Sequence, residues 1–162
     1  DESETVNEGL TQIGDSAFEF CSSLDNVVLP KTLKSIGSYA FSECSSLSSV
    51  RFNSTDFESI GEGAFSYCVS LQKTELPAGI TQICAHTFEG SALKNIDLPS
   101  TLTSVGEQAF AFCEQLVRID VYAEDCTFFA GEETTPETAK ICVPKTANKA
   151  ISYAKKYAKK GL

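Results

Sequence analysis

An elongated, mostly β solenoid of five to six coils is the fold predicted by this sequence of 162 residues, and three observations predict it. The first is repetition. SIGSYAFSECSSLSSVRF at 35–52 recurs as SIGEGAFSYCVSLQKTEL at 59–76 and SVGEQAFAFCEQLVRIDV at 104–121, and QIGDSAFEFCSSLDNVVL at 12–29 and QICAHTFEGSALKNIDL at 82–98 complete the set. Ile13, Ile36, Ile60, Ile83 and Val105 stand 23, 24, 23 and 22 residues apart. A fixed period of that size means stacked units that each contact only their neighbours. The second observation is apolar–polar alternation at the end of every unit, the period of a half-buried strand. The third is an apolar stripe at helical spacing after the last unit, which supplies an end cap.

Each unit divides into three pieces. The strand piece, Leu-x-x-Ile-x-Leu-Pro in form, runs Leu24 to Pro30, Leu47 to Asn53, Leu71 to Pro77, Leu93 to Pro99 and Leu116 to Tyr122. Proline ends three of the five, where it stops strand pairing. Stacked at about 4.8 Å, these strands make one parallel sheet along the solenoid. The second piece, as in Leu33 to Gly37 and Leu102 to Gly106, is a short extended run ended by a glycine, read as a residue free to take positive φ. The third, x-x-Ala-Phe-x-x-Cys, is a compact turn expected to bury Phe18, Phe41, Phe65, Phe88 and Phe110 as a structural column. The fourth unit departs from the pattern. Cys84 stands for Gly, Thr87 for Ala, and the turn is one residue shorter, while Thr74 replaces the inward aliphatic of the third strand.

At the start, Glu4 falls on the inward slot that Val27 fills, which either blunts an open sheet edge or marks a piece of a longer array. The chain begins with Asp1 and contains no Met, so a processed or trimmed product is expected. At the other end ICVP at 141–144 matches IDLP at 96–99, and a sixth strand is expected there although FFAGEETTPET replaces the Ala-Phe turn. Ala147, Ala150, Ile151, Ala154, Tyr157 and Ala158 then recur at three and four, an amphipathic helix with lysines on its far side. The solenoid is thus expected over residues 1–145 and the capping helix, part of the same domain, over 146–162.

The pattern I-G-x-x-A-F-x-x-C-x-x-L-x-x-I-x-L-P resembles the BspA-like leucine-rich repeat and covers roughly residues 10–121 in five units. The resemblance implies a curved leucine-rich repeat solenoid of the α/β class, with the parallel sheet on its concave face. It implies as well an extracellular or surface-attached protein that binds other macromolecules. A strand followed by a short helix also resembles the way members of this family end.

Charge is unevenly placed. Residues 1–139 hold 22 acids against 6 bases, a net of −16, while 140–162 hold seven lysines and no acid. A solenoid so acidic repels nucleic acid and anionic membranes, and the lysines read as the solvated side of the terminal helix. No apolar run approaches the roughly 20 residues needed to span a bilayer. Cys21, Cys44, Cys68 and Cys113 each follow the repeated Phe by three and are expected as an inward ladder of free thiols. Disulfide pairing between stacked neighbours is not excluded by spacing. Cys142 falls on an outward slot and is the thiol expected to be most reactive. There is no C-x-x-C pair, and Cys84 with His86 does not complete a four-ligand zinc site, so no metal or cofactor is expected. His86 shares its slot with Ser16, Tyr39, Gly63 and Gln108, which reads as a variable surface position. Without a phosphate-binding loop or nucleophile elbow, catalysis is not expected.

Binding is therefore sought on the strand face, where two outward slots flank each inward aliphatic. One column reads Asn26, Ser49, Lys73, Asn95, Arg118 and the other Val28, Arg51, Glu75, Asp97, Asp120. Lys73, Glu75, Asn95, Asp97, Arg118 and Asp120 form its mixed-charge half and are the candidate binding residues. The expected partner is a protein or other macromolecule, host-derived ligands included, bound by a secreted or surface-exposed adhesion module whose oligomeric state is left open. The alternative is a rigid stalk that carries another domain of a longer surface protein.

Overall fold

The computed structural model describes residues 9–129 and 133–157. Six coils follow one another, each running short strand, turn, long strand. The short strands are β1 (Gln12–Ile13), β3 (Ser35–Ile36), β5 (Ser59–Ile60), β7 (Gln82–Ile83), β9 (Ser104–Val105) and β11 (Thr127–Phe128). The long strands are β2 (Asn26–Leu29), β4 (Ser49–Phe52), β6 (Lys73–Glu75), β8 (Asn95–Leu98), β10 (Arg118–Val121) and β12 (Lys140–Cys142). Helix α1 (Asn148–Tyr157) closes the stack. All pairing is parallel and in phase, so equivalent residues lie over one another: Val27 on Val50 on Thr74, and Ile96 on Ile119 on Ile141. The Glu4 position and Ala158 lie outside the described residues.

The turns carry a column of aromatic rings through the core. Phe18, Phe41, Phe65, Phe88 and Phe110 stack nearly parallel, with centroids 5.1, 5.4, 5.7 and 5.8 Å apart. Phe18 corrects the expectation of burial, because it is 40% exposed at the end of the column. Cys21 departs in the same way and for the same reason: both belong to the first described coil, which no described coil covers from below. Cys44, Cys68 and Cys113 are buried as expected. Their thiols are more than small apolar groups, since each donates to the Phe carbonyl of the preceding coil, at 3.1, 3.1 and 3.0 Å. All seven cysteines are free thiols.

Two further columns run through the turns. Ser16, Tyr39, Gly63, His86 and Gln108 all have positive φ, and so do Phe20, Glu43, Tyr67, Gly90 and Phe112 four residues on. The slot read as merely variable is therefore conformationally special. The left-handed region is costly for residues with a Cβ. What holds it is a turn-side backbone ladder, as at Tyr39 N–H to Glu62 O (2.8 Å) and Glu43 N–H to Ser66 O (2.8 Å), with Phe41 N–H to Ala64 O (2.9 Å) between them.

The glycine after the short strand does not have positive φ, contrary to expectation. It is needed for close approach. A Cβ on Gly61 would sit 2.5 Å from Ser38 N and 2.6 Å from Gly37 C, and one on Gly106 would sit 2.6 Å from Ala85 N.

Helix α1 buries Ala150, Tyr153 and Ala154 against the last coil. Tyr153, absent from the apolar stripe read in the sequence, stacks on Phe128 at 4.9 Å, and its hydroxyl lies 3.1 Å from Thr135 Oγ1. Thr134 accepts the backbone bond from Phe110 N–H at 3.0 Å, the place Ala109 takes for Phe88. Thr135 accordingly occupies the next Phe slot. The column ends on Thr135, which Tyr153 covers.

Candidate binding face

The long strands do not form one sheet. The ladder stops between β6 and β8, leaving β2–β4–β6 and β8–β10–β12 as separate sheets, and the short strands divide at the same step between β5 and β7. Cys84 accounts for the division of the short strands. Gly37, Gly61 and Gly106 each donate a 2.8 Å bond to the Ile carbonyl of the coil beneath, and among the described residues Cys84 has no counterpart. Its Cβ occupies the slot where the coils approach within about 2.5 Å of a Cβ position, so the backbone stands off. The turn side stays shut at this step, through Gly63 N–H to Ala85 O, Phe65 N–H to Thr87 O and Tyr67 N–H to Glu89 O, at 3.0, 2.9 and 2.6 Å. Glu89 adds a clasp there, accepting from Tyr67 Oη at 2.8 Å and lying 2.8 Å from His86 Nδ1. His86 thus has a structural role.

On the strand side the step opens into a cleft of about 540 Å³, lined by Gln72, Lys73, Thr74 and Glu75 on one wall and Lys94, Asn95 and Asp97 on the other. One backbone bond spans it, Lys94 N–H to Gln72 O at 3.2 Å. A second hollow of about 330 Å³ lies on the other side of β6, against Val28, Arg51 and Phe52. Thr74 forms the floor shared by both. It is buried and turns its hydroxyl 3.4 Å from Val50 O.

Strand alternation places five of the six predicted residues as expected. Lys73, Glu75, Asn95, Asp97 and Arg118 face outward, and Asp120 is half-buried. Registers set Arg118 beside Asn95 and Asp120 beside Asp97. Four of the six neutralise one another along their own strands. Lys73 Nζ meets Glu75 Oε1 at 3.0 Å, and Arg118 grips Asp120 with Nε–Oδ2 and Nη2–Oδ1 bonds of 2.6 and 2.8 Å. The Asp120 hydrogen bonds hold the Arg118 guanidinium still more firmly protonated than usual. Among the described residues Asp97 makes no ion pair, and neither do Arg51 and Lys94.

Sequence reasoning missed Gln72, Thr74 and Lys94 as cleft residues, because it assumed an unbroken sheet. The signals were Thr74, Cys84 and the short fourth turn, three departures flanking one step. Among the described residues no group of three or more His, Cys, Asp or Glu is arranged to hold a metal ion, and no helix is long and apolar enough to cross a membrane.

Residues 2–125 match the family described as BspA type leucine rich repeat region, in six copies. The chain belongs to that family. This BspA-type protein is also similar in fold to two solved bacterial structures. One is the pneumococcal vaccine antigen PcpA, at 21% identity and TM-score 0.62, covering 82% of this chain and 39% of that one. The other is the T. pallidum leucine rich repeat protein TpLRR, at 22% identity and TM-score 0.61, covering 83% and 80%. The BspA-type chain therefore spans about two-fifths of the pneumococcal antigen, and at these identities the likeness concerns the fold. No curated protein matches the sequence.

Proposed function

We propose that this protein is a non-catalytic interaction module, exposed on a cell surface or secreted, that binds a protein partner through its long-strand face. The observation that carries the reading is the cleft at the β6–β8 step, because it gathers Lys73, Glu75, Asn95 and Asp97 into a recess on an otherwise regular stack. Arg118 and Asp120 extend the same face across β10. The family supports an interaction role, and the pneumococcal relative, described as a vaccine antigen, supports surface exposure. Adhesion to a host macromolecule is the form of the reading put to test.

Reversing Glu75, Asp97 and Asp120 together to Lys should abolish binding to immobilised host-cell and matrix proteins, since charge complementarity orients such contacts. The control reverses Glu19, Glu43 and Glu114 on the turn side, an equal change in net charge, and should matter much less. Equal loss from both sets would reduce the effect to net charge. No binding by the parent to any surface would leave a rigid stalk as the function.

A further inference from the structure

We propose that the turn side carries a second binding site, a notch at coil four that takes one arginine side chain of a protein partner against Tyr67, Phe112 and Glu114. The site is separate from the strand face and stands on different observations. Tyr67, Gly90 and Phe112 occupy one turn slot in coils three, four and five, all with positive φ. Gly90 leaves that slot without a side chain. The shorter fourth turn also puts Ala92 alone where the neighbouring coils have Val69 with Ser70 and Glu114 with Gln115. The turn edge is cut back for one coil, and a hollow of about 300 Å³ results, lined by Tyr67, Val69, Gly90, Phe112, Glu114 and Gln115. The coils are closed here, unlike on the strand side. Tyr67 N–H donates to Glu89 O at 2.6 Å and Gly90 N–H to Ala111 O at 2.8 Å. Ser91 fixes the floor, with its hydroxyl 3.3 Å from Cys113 Sγ.

The walls are set in advance. Tyr67 is held at both ends, by its backbone bond and by the 2.8 Å bond from its hydroxyl to Glu89 Oε1. Its ring lies over Gly90, where a Cβ would come within 2.6 Å of Cδ1. Phe112 forms the other wall. It is 61% exposed, although the left-handed backbone it adopts is costly for a bulky residue. Neither burial nor backbone preference accounts for a Phe there, which points to a contact outside the chain. Charge then names the occupant. The turns at 14–23, 37–46, 61–70, 84–92 and 106–115 hold seven acids and no Lys or Arg. Glu89 is taken by Tyr67 and His86, whereas Glu114 makes no ion pair among the described residues. Aromatic walls beside an unpaired carboxylate suit a cation that is flat and weakly hydrated. A guanidinium is that cation, because it stacks on aromatic faces and pairs with a carboxylate through two parallel N–H bonds. A lysine ammonium is a strongly hydrated point charge and gains less from such walls.

The test titrates the full chain, labelled with nitrogen-15, with capped pentapeptides that carry Arg, Lys or citrulline between glycines. The Arg peptide should shift the Gly90 and Phe112 amides to saturation and bind about tenfold tighter than the other two. Phe112→Asn, which removes the ring and keeps a residue that tolerates left-handed backbone, should lose that margin. Glu114→Gln should lose it too, whereas Glu43→Gln, the same change of charge one coil below Tyr67, should keep it. Absence of shifts at Gly90 and Phe112 overturns the inference. Equal binding of Arg and Lys peptides does so as well, as does equal loss from Glu43→Gln and Glu114→Gln, since each reduces the effect to the acidic field. The strand-face triple reversal should leave the Arg peptide bound, so either reading can fall alone. The turn-side control set includes Glu114 and should cost macromolecular binding only this one contact.

Discussion

Phe65 is 1% exposed and lies between Phe41 and Phe88, whereas Phe18 is 40% exposed and stacks on one side. Truncating an enclosed aromatic removes contacts and leaves a cavity, at about 3–5 kcal/mol. Phe65→Ala should lie in that range by urea denaturation and Phe18→Ala well below it. Similar losses at both sites would contradict the column as described. The thiols differ in the same graded way. Burial pushes Cys68 up to about 12 and Cys113 to about 11, from an ordinary value near 9. Because the fold holds the neutral form, the stability these thiols lend is intact below pH 9 and is lost as pH rises toward 11–12. At pH 8 a thiol reagent should modify exposed Cys21 in the native protein, and Cys68 and Cys113 only after denaturation. Rapid native labelling of Cys68 would refute its placement.

At the scale of the element, one motif position does different work in different coils. A Cβ on Gly61 would strike the backbone of the coil beneath, yet one on Gly14, the same position in the first coil, meets nothing within 4 Å. Overpacking of this kind typically costs about 1–3 kcal/mol. Gly61→Ala should show that loss and Gly14→Ala little, measured in matched denaturation curves. The converse change, Cys84→Gly, should let coils three and four close. Hydrogen exchange at residue 84 should then slow, because its N–H gains the bond to Ile60 that its counterparts make. Unchanged exchange would mean that Thr74 or the short fourth turn opens the step instead.

For the whole molecule, stability is a sum of coils and the interfaces between them, so the ends matter more than in a globular domain. Tyr153 covers Phe128 and Thr135 at the last coil, and Lys149 adds a 3.7 Å contact to Asp125. Tyr153→Ala should cost about 3 kcal/mol or more by the same large-to-small reasoning, with hydrogen exchange accelerating first in coil six. Uniform acceleration across all coils would show instead that the stack unfolds as one unit. The step between coils three and four adds a second seam. It is closed on the turn side by three backbone bonds and the Tyr67–Glu89–His86 clasp, and open on the strand side.

The repeat, the inward Leu, Ile and Phe columns, the parallel strands, the sixth strand and the terminal helix were all legible in the sequence. In a stack, equivalent residues meet one another, so each slot must choose the same chemistry every 22–24 residues and the choice shows. The outward columns of the strand face followed from alternation alone. The left-handed turn positions did not show, because Ser, Tyr, His, Gln, Phe and Glu all occupy them and backbone bonds to the next coil set their conformation. The break in the sheet, and with it the cleft, was decided only in three dimensions. It depends on whether a Cβ fits against the backbone below: one on Gly61 would sit 2.5 Å from Ser38 N, about an ångström inside ordinary van der Waals contact. Cys84 in a glycine slot marked where this happens, but only the packed coils reveal that the molecule opens there, with Asp97 on the wall of the cleft and in no ion pair among the described residues.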